Sequence, residues 1–411
     1  MLLLLCTLFP LWFAYRRSTS PKGVEINHVT LFTFGFLFYW VLPITAGVAS
    51  SELAGETWSY LFDSSQSTPL YLGACFLSYM AFVSGDLIAG VIFRPRAFTS
   101  PPLNPSGLLI LLVPTTIGAA YMAFSLRSLL FQPYGMDLDA QRARGTMTAF
   151  LIPLGIIALF HISDHHDYGV RRMAVNGFVL PFLCGSVFLL YLGGRLYVVS
   201  FAFMFAAYIS CFVRRLAPRK LIIAAGAIAC LSGLIGVLRG GSSLAEVGIN
   251  ILLEPLFTSF SLVHFLSYEH LAWINFPKYL ISDFVNLIPT TFLPNKADLI
   301  LTPDVYNPLG ALHSFVSFNY NFGILGTVVF MFVLSFCLRC LRAHSSRQLP
   351  RVCYVMLSGW LAFTFFRDPF SVSLVKVMFQ YSLIVPSLIM IFNRLIQPLT
   401  IINGEDAVPT R

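Results

Sequence analysis

Long apolar runs of about 18 to 24 residues recur along the whole chain, and a run of that length crosses a bilayer as a helix. Of the 411 residues, 57% are apolar and 11% are charged, whereas an average soluble protein has roughly 25% charged residues. A soluble globule is therefore excluded. A membrane barrel is excluded too, because its strands alternate in polarity over roughly ten residues. The sequence predicts an all-α polytopic membrane protein, since helices satisfy their own backbone hydrogen bonds in lipid.

Windows of roughly 19 residues predict about eleven transmembrane helices. They cover residues 1–15, 28–49, 69–93, 106–126, 147–163, 174–192, 196–213, 221–238, 322–341, 352–366 and 372–392. When the connecting segments are assigned alternately to two sides, 17 of the 26 Lys and Arg residues fall on one side. By the positive-inside rule this side is cytoplasmic, which places the N-terminus outside and the C-terminus inside.

The longest segment between spans, residues 239–321, is predicted to be a large extracytoplasmic loop. It divides a single membrane domain into N-terminal helices (1–238), the loop (239–321), and C-terminal helices with a short cytoplasmic tail (322–411). Within the loop, residues 251–274 are apolar, but a crossing there would move the basic segment 339–351 to the outside. The stretch also contains acidic and histidine side chains that are costly in lipid. We therefore predict helices that lie on the membrane surface.

Four arginines lie on the outer side, against the charge bias, and each directly follows an outward-going span: Arg127, Arg195, Arg239 and Arg367. Such positions ring the outer mouth of a helical bundle, and guanidinium groups bind phosphate oxygens in a bidentate manner. The pattern predicts a diphosphate ligand at the outer membrane surface. The alternative for each arginine is that it extends to lipid headgroups, and Asp368 offers Arg367 a neighbouring partner.

The outer loop also contains side chains that can remove a proton near neutral pH. His313 and Glu254 are the leading candidates for a general base, with helix capping as the alternative for each. Further candidates are His264, Glu269, His270, Asp283, Asp298 and Asp304. No metal site is predicted, because the pair Cys337 and Cys340 has no second pair of ligands, and no nucleotide-binding motif is present.

Three short motifs resemble those of a known family. They are Gly193-Gly194-Arg195 before the seventh span, the loop sequence IPTTFLPNK at 288–296, and NYNFGILG at 319–326. With Arg367 before the last span, the chain resembles the bacterial lipid-linked oligosaccharide polymerases, the O-antigen or enterobacterial-common-antigen polymerase (Wzy) family. It departs from many relatives at 317–318, where Ser-Phe replaces an acidic or small residue, so a base is not carried over from that position.

The resemblance implies a metal-independent glycosyltransferase of GT-C-like architecture, without a cofactor, in the bacterial inner membrane with its active site facing the periplasm. Such an enzyme transfers a glycan from undecaprenyl diphosphate to the nonreducing end of another lipid-linked repeat unit, in O-antigen and lipopolysaccharide synthesis. A chain-length-regulating co-polymerase is the implied partner. The outer arginines, Arg127 included, and Lys296 are then expected to hold the departing diphosphate, and His313 or Glu254 to deprotonate the acceptor hydroxyl.

Two other functions remain open from the sequence. An O-antigen ligase uses the same donor with a lipid A-core acceptor, and the sequence does not separate it from a polymerase. A lipid-linked oligosaccharide flippase would place charges along a central cavity, whereas Asp86 and Lys376 are nearly the only charges well inside the predicted spans. Asp86 is accordingly a candidate functional or helix-pairing residue.

Overall fold

The computed structural model describes residues 1–45, 67–93, 103–130, 138–164, 172, 175–217, 219, 247–288, 292–293, 295–306 and 311–402. Helices dominate these ranges, and the strands found there form a single hairpin of two short strands, Thr19–Ser20 and Gly23–Val24. The α-helices in these ranges are α1 (Leu2–Ser18), α2 (His28–Gly35), α3 (Ser67–Ile92), α4 (Pro105–Ser125), α5 (Leu138–Asp164), α6 (Leu180–Tyr191), α7 (Arg195–Tyr208), α8 (Val247–Tyr268), α9 (Lys278–Asp283), α10 (Ser314–Ala343), α11 (Gln348–Trp360), α12 (Thr364–Arg367) and α13 (Val385–Ile402).

Three of these helices are continued or preceded by π-helical turns. The π-helical segments are Phe36–Val41 after α2, Ile209–Val213 after α7, and Ser371–Ile384 before α13. Within the described ranges, short 3₁₀ turns cover Arg127–Leu129, Phe284–Leu287 and Lys296–Leu299. A π-helix usually occurs as a single turn and often marks a functional site, so the 14-residue segment that starts at Ser371 is unusual for its length.

Seven helical segments of the described chain are long and apolar enough to cross a membrane. They are His28–Thr45, Thr68–Ile92, Pro105–Ser125, Ala143–Ser163, Arg195–Val213, Ser314–Ala343 and Ser371–Ile396. Each coincides with a span predicted from the sequence. The protein is therefore a multi-pass, largely helical membrane protein, as its hydropathy predicts.

The other four predicted spans have different outcomes. Helix α1 has 17 residues, whereas α6 has 12 and α11 has 13, which is shorter than the roughly 20 residues that a straight crossing needs. The predicted span 221–238 lies outside the described residues. The count of eleven spans, and with it the GT-C-like architecture, stays a prediction.

Helices α3 and α10 pack against each other along much of their length and run parallel. Near their N-terminal ends, the rings of Tyr71 and Phe315 meet edge to face at 4.8 Å. Farther along, Gly85 packs so closely on α10 that a Cβ atom would collide with the carbonyl oxygen of Phe332. The two ends of this helix pair define the two ends of the bundle.

One end, named here the arginine end, contains two buried carboxylates that bind arginines from distant parts of the chain. Asp86 pairs with Arg17 and lies 3.9 Å from Nε of Arg339. Glu25 pairs with Arg342 and, at 3.4 Å, with Arg215. All four arginines belong to the basic side of the sequence count. The arginines meet at this end because the two carboxylates are buried there, and a buried charge needs a partner of opposite sign.

The opposite end, named here the loop end, carries residues 269–306 together with the start of α10. The predicted loop boundary at residue 321 falls inside α10, which begins at Ser314 but breaks at Gly323 (φ 66°, ψ −174°). On α8, Thr258 and Ser261 are fully buried, so this polar side of the helix faces protein. Ser261 Oγ accepts a hydrogen bond from the backbone N–H of His313 at 2.9 Å.

Candidate functional site

The predicted arginines of the last and seventh spans lie at the loop end. Helix α7 begins at Arg195, directly after a hairpin in which Gly193 has a φ of 90° that favours glycine. The short helix α12 ends at Arg367, and α7 contacts α12. Arg195 and Arg367 thus stand on neighbouring elements.

Arg367 belongs to a cluster of charged and phenolic groups. Its Nη1 donates a hydrogen bond to Oδ1 of Asp368 at 3.1 Å, so the neighbouring acid does bind it. The hydroxyl of Tyr197 on α7 lies within electrostatic range of Arg367, Asp368, Tyr381 and Arg144. Arg144 on α5 thus lies near the same hydroxyl as Arg367 and Asp368.

Two lysines add positive charge at the same end. Lys296, in the loop, donates a hydrogen bond from Nζ to the carbonyl oxygen of Ile288 at 3.0 Å. Lys376 lies on the π-helix and is close enough to Lys296 for their charges to repel. Two positive charges that lie close together repel each other. An anion bound near both ammonium groups would be attracted to each of them and would offset this repulsion.

Asp283, at the end of α9, carries a buried carboxyl group. Its side chain is 7% exposed and accepts a hydrogen bond from the backbone N–H of Ser371, the first residue of the π-helix. Burial raises the pKa of Asp283 to about 7, although the hydrogen bond from Ser371 opposes this shift. The described residues provide no ion pair for Asp283. A carboxyl group with such a pKa can accept a proton near neutral pH.

His313 is held as a neutral helix cap. Its Nδ1 accepts a hydrogen bond from the backbone N–H of Phe315 at 3.2 Å, and Nε2 lies 2.9 Å from the carbonyl oxygen of Tyr39. The proton is therefore on Nε2. Burial lowers the pKa of His313 to about 4. Both ring nitrogens are engaged and the side chain is fully buried, so this arrangement favours the capping alternative over the role of general base.

The remaining predicted site residues fall in different places. Arg127 is exposed, and its guanidinium lies 3.8 Å from the centroid of the Phe124 ring at the end of α4, with Nη1 donating to the Phe124 carbonyl oxygen at 3.3 Å. Glu254 lies within helix α8, but its side chain is outside the described part of the structure. Arg239 lies outside the described residues. Their predicted roles stay predictions.

The NYNFGILG motif forms the break in α10 and binds the outer loop. The backbone N–H groups of Ile324 and Leu325 donate to the carbonyl oxygens of Ala272 and Trp273 at 2.9 and 3.0 Å. Both asparagines of the motif also bind loop backbone: Asn319 Nδ2 donates to the Ala272 carbonyl oxygen at 3.3 Å, and Asn321 Oδ1 accepts from the Leu280 N–H at 2.7 Å. The motif therefore sets the position of the loop on the bundle.

Sequence reasoning missed Arg144 and Tyr197 and gave Asp283 no priority. Arg144 occurs in a short basic run before the fifth span, which was a usable signal. Asp283 gave no such signal. It differs from the other acidic residues of the loop because it is buried against the π-helix, which begins 88 residues later in the chain. The structure places no group of three or more His, Cys, Asp or Glu side chains in position to hold a metal ion within its described ranges.

Comparison with known proteins gives no match: no protein-family model, no curated protein and no solved structure is similar to this chain.

Proposed function

We propose that this protein is a polymerase of lipid-linked oligosaccharide repeat units. It transfers a glycan from undecaprenyl diphosphate to the nonreducing end of another lipid-linked repeat unit at the periplasmic face of the bacterial inner membrane. The observation that carries the proposal is that the loop end holds basic side chains from separate helices and also the buried carboxyl of Asp283, which is bound at the start of the π-helix. This combination supplies an anion site and a proton acceptor, the two elements that such a transfer needs.

The anion site is assigned to the departing diphosphate. As the glycosidic C–O bond of the donor breaks, the bond electrons pass to the diphosphate, whose negative charge increases in the transition state. Positive groups fixed at that position lower the barrier. Arg367, Arg195 and Lys296, joined by Arg144 and Lys376, provide this charge, and no metal ion is required for it.

The proton acceptor is assigned to Asp283. The acceptor hydroxyl forms the new C–O bond and loses its proton, which passes to the carboxylate. A pKa of about 7 leaves a large ionised fraction at neutral pH and still gives a useful driving force for proton transfer. The assignment replaces His313, whose ring nitrogens already have partners. Glu254 remains the second candidate.

The ligase and flippase alternatives differ from the polymerase in what they predict. A ligase uses the same anion site but transfers the glycan to lipid A-core. A flippase needs charged groups along a transport path, whereas Asp86 is bound by arginines at the arginine end. This pairing favours a structural role for Asp86. The charged groups proposed to take part in the reaction are those of the loop end.

The test begins with deletion of the gene in its host and analysis of the surface polysaccharide by gel electrophoresis. A polymerase predicts that the ladder of polymer lengths collapses to a single repeat unit on the lipid core. Loss of every band instead indicates a ligase or a flippase. Those two are then separated by whether the lipid-linked units that accumulate face the periplasm or the cytoplasm.

Complementation with variants tests the site itself. Arg195→Ala and Arg367→Ala are expected to abolish polymer while the protein remains in the membrane at normal amount. Arg16→Ala is the matched control, because Arg16 is exposed on α1 and its guanidinium lies over the Trp12 ring at the arginine end. Normal polymer from both site variants would remove the diphosphate role from these arginines.

A further inference from the structure

Three large apolar side chains stand exposed within four consecutive loop residues. Trp273 is 59% exposed, and Ile274 and Phe276 are each 72% exposed. A cluster of this kind on a surface that contacted only water would be unfavourable. Neither the proposed anion site nor the proposed base uses these side chains, so they need a separate explanation.

The position of this cluster relative to α10 is fixed by the backbone. Besides the bonds from Ile324 and Leu325, the N–H of Asn275 donates to the carbonyl oxygen of Phe322 at 3.3 Å. At Gly323, an added Cβ atom would lie 2.7 Å from both the backbone nitrogen of Ile274 and the carbonyl carbon of Trp273. The backbone hydrogen bonds and the close packing at Gly323 therefore fix the position of the apolar loop residues at the break in α10.

The break lies at the level where a membrane surface would meet α10. At a rise of 1.5 Å per residue, the helix from Gly323 to Arg342 is roughly 28 Å long, and the hydrocarbon layer of a bilayer is roughly 30 Å thick. Arg342 belongs to the charged arginine end. If that end lies at one surface of the hydrocarbon layer, Gly323 and the loop bound to it lie at the other.

The exposed face of α10 just beyond the break is a lipid-facing stripe. Leu325, Val329 and Val333 follow each other at intervals of four residues, and they are 48, 62 and 49% exposed. Leu325 is bonded through its N–H to the carbonyl of Trp273. The loop cluster thus begins where the lipid-facing stripe ends.

We propose that Trp273, Ile274 and Phe276 form an interfacial anchor that inserts into the headgroup boundary of the leaflet at the loop end. The partner is a lipid surface. Tryptophan favours this boundary because its ring is apolar while its N–H remains near water. Glu269 and His270, which precede the anchor in the chain, are exposed. The anchor holds the outer loop at the membrane surface, independently of which reaction the protein performs.

Fluorescence quenching by brominated lipids tests this anchor with the full-length protein in phosphatidylcholine vesicles. Wild type is compared with Trp273→Phe, so that the difference between the two reports Trp273 alone while the other tryptophans stay in place. We expect Trp273 emission to be quenched at least two-fold more by bromine atoms near the headgroups than by bromine atoms near the ends of the acyl chains. Trp360→Phe is the matched control, because Trp360 is 0% exposed and contributes no lipid-quenched emission.

Three outcomes would overturn the proposal. Quenching of Trp273 by iodide in water, without quenching by either lipid, would place the side chain in solvent. Stronger quenching by the deep bromine atoms would place it inside the hydrocarbon layer. Insensitivity of Trp273 to all the quenchers would place it against protein. Because Trp273→Phe keeps an aromatic side chain, equal elution of variant and wild type in size-exclusion chromatography serves as the folding control.

Discussion

His313 and Tyr39 are 274 residues apart in the chain, yet Nε2 of the histidine donates a hydrogen bond to the tyrosine carbonyl oxygen over 2.9 Å. This bond joins the start of α10 to the π-helical end of α2. The other ring nitrogen accepts the N–H of Phe315, so the imidazole is neutral in the folded protein. Protonation would put a proton on Nδ1, which must accept the hydrogen bond from the Phe315 N–H. It would also add a buried positive charge.

Acid should therefore destabilise the protein through His313. Its pKa is about 4 in the folded protein and about 6.5 when solvent-exposed, so the unfolded chain takes up the proton first as the pH falls. The contribution of neutral His313 to the free energy of unfolding is fully present above pH 6.5. As the pH decreases toward 4, this contribution falls by on the order of 3 kcal/mol. His313→Asn keeps a capping oxygen for the Phe315 N–H, and it should remove this part of the pH dependence.

The measurement is the thermal unfolding midpoint in detergent between pH 7.5 and 4.5, at the same ionic strength throughout. We expect the wild-type midpoint to fall more steeply with acid than that of His313→Asn. Parallel curves would show that another group controls the acid sensitivity.

Gly323→Ala should detach the outer loop from α10. The backbone conformation of Gly323 (φ 66°, ψ −174°) is essentially restricted to glycine and costs another residue roughly 1–3 kcal/mol, and the Cβ atom would also displace the backbone at Ile274. We expect faster proteolysis of the loop and a lower unfolding midpoint. Gly73→Ala on α3 is the matched control, since a Cβ atom there meets no atom within 4 Å. Equal behaviour of the two variants would contradict the role of the break.

Asp86→Asn should unfold or severely destabilise the bundle. The substitution leaves Arg17 and Arg339 without their shared carboxylate, and loss of one partner of a buried ion pair costs about 3–5 kcal/mol. The yield of monodisperse protein in size-exclusion chromatography measures the effect. Asp298→Asn, at an exposed loop position, should behave as wild type. A normal yield from Asp86→Asn would argue for a role of Asp86 other than structural.

The rate of polymer formation should depend on the ionisation of Asp283. Because the base acts as a carboxylate and its pKa is raised to about 7, the rate should increase as the pH rises through 7 and then level off. Asp283→Asn should abolish transfer, whereas Asp283→Glu should retain part of it with a shifted pH profile. Retention of full activity by Asp283→Asn would return the role of base to Glu254 or to another loop residue. The measurement uses membrane vesicles with added lipid-linked repeat units.

Much of the fold was accessible from the sequence because a membrane restricts what each segment can be. Apolar runs such as 105–125 and 195–213 became helices at the predicted places, since lipid leaves the backbone few other ways to form its hydrogen bonds. Arg17 and Arg339, sorted to one side by counting charges, do meet at one end of the bundle. These features depend on residue type and order along the chain.

The candidate site was less accessible because its chemistry depends on burial and on contacts between distant segments. In the sequence, His313 and Asp283 are both titratable residues of the same loop. The sequence alone does not indicate that His313 is a buried helix cap or that the pKa of Asp283 is raised. Desolvation by neighbouring elements separates their properties. The sequence by itself determined a multi-pass helical protein with basic side chains sorted between its ends. The tertiary structure decided which charges are paired, which are buried, and where the break at Gly323 binds the outer loop.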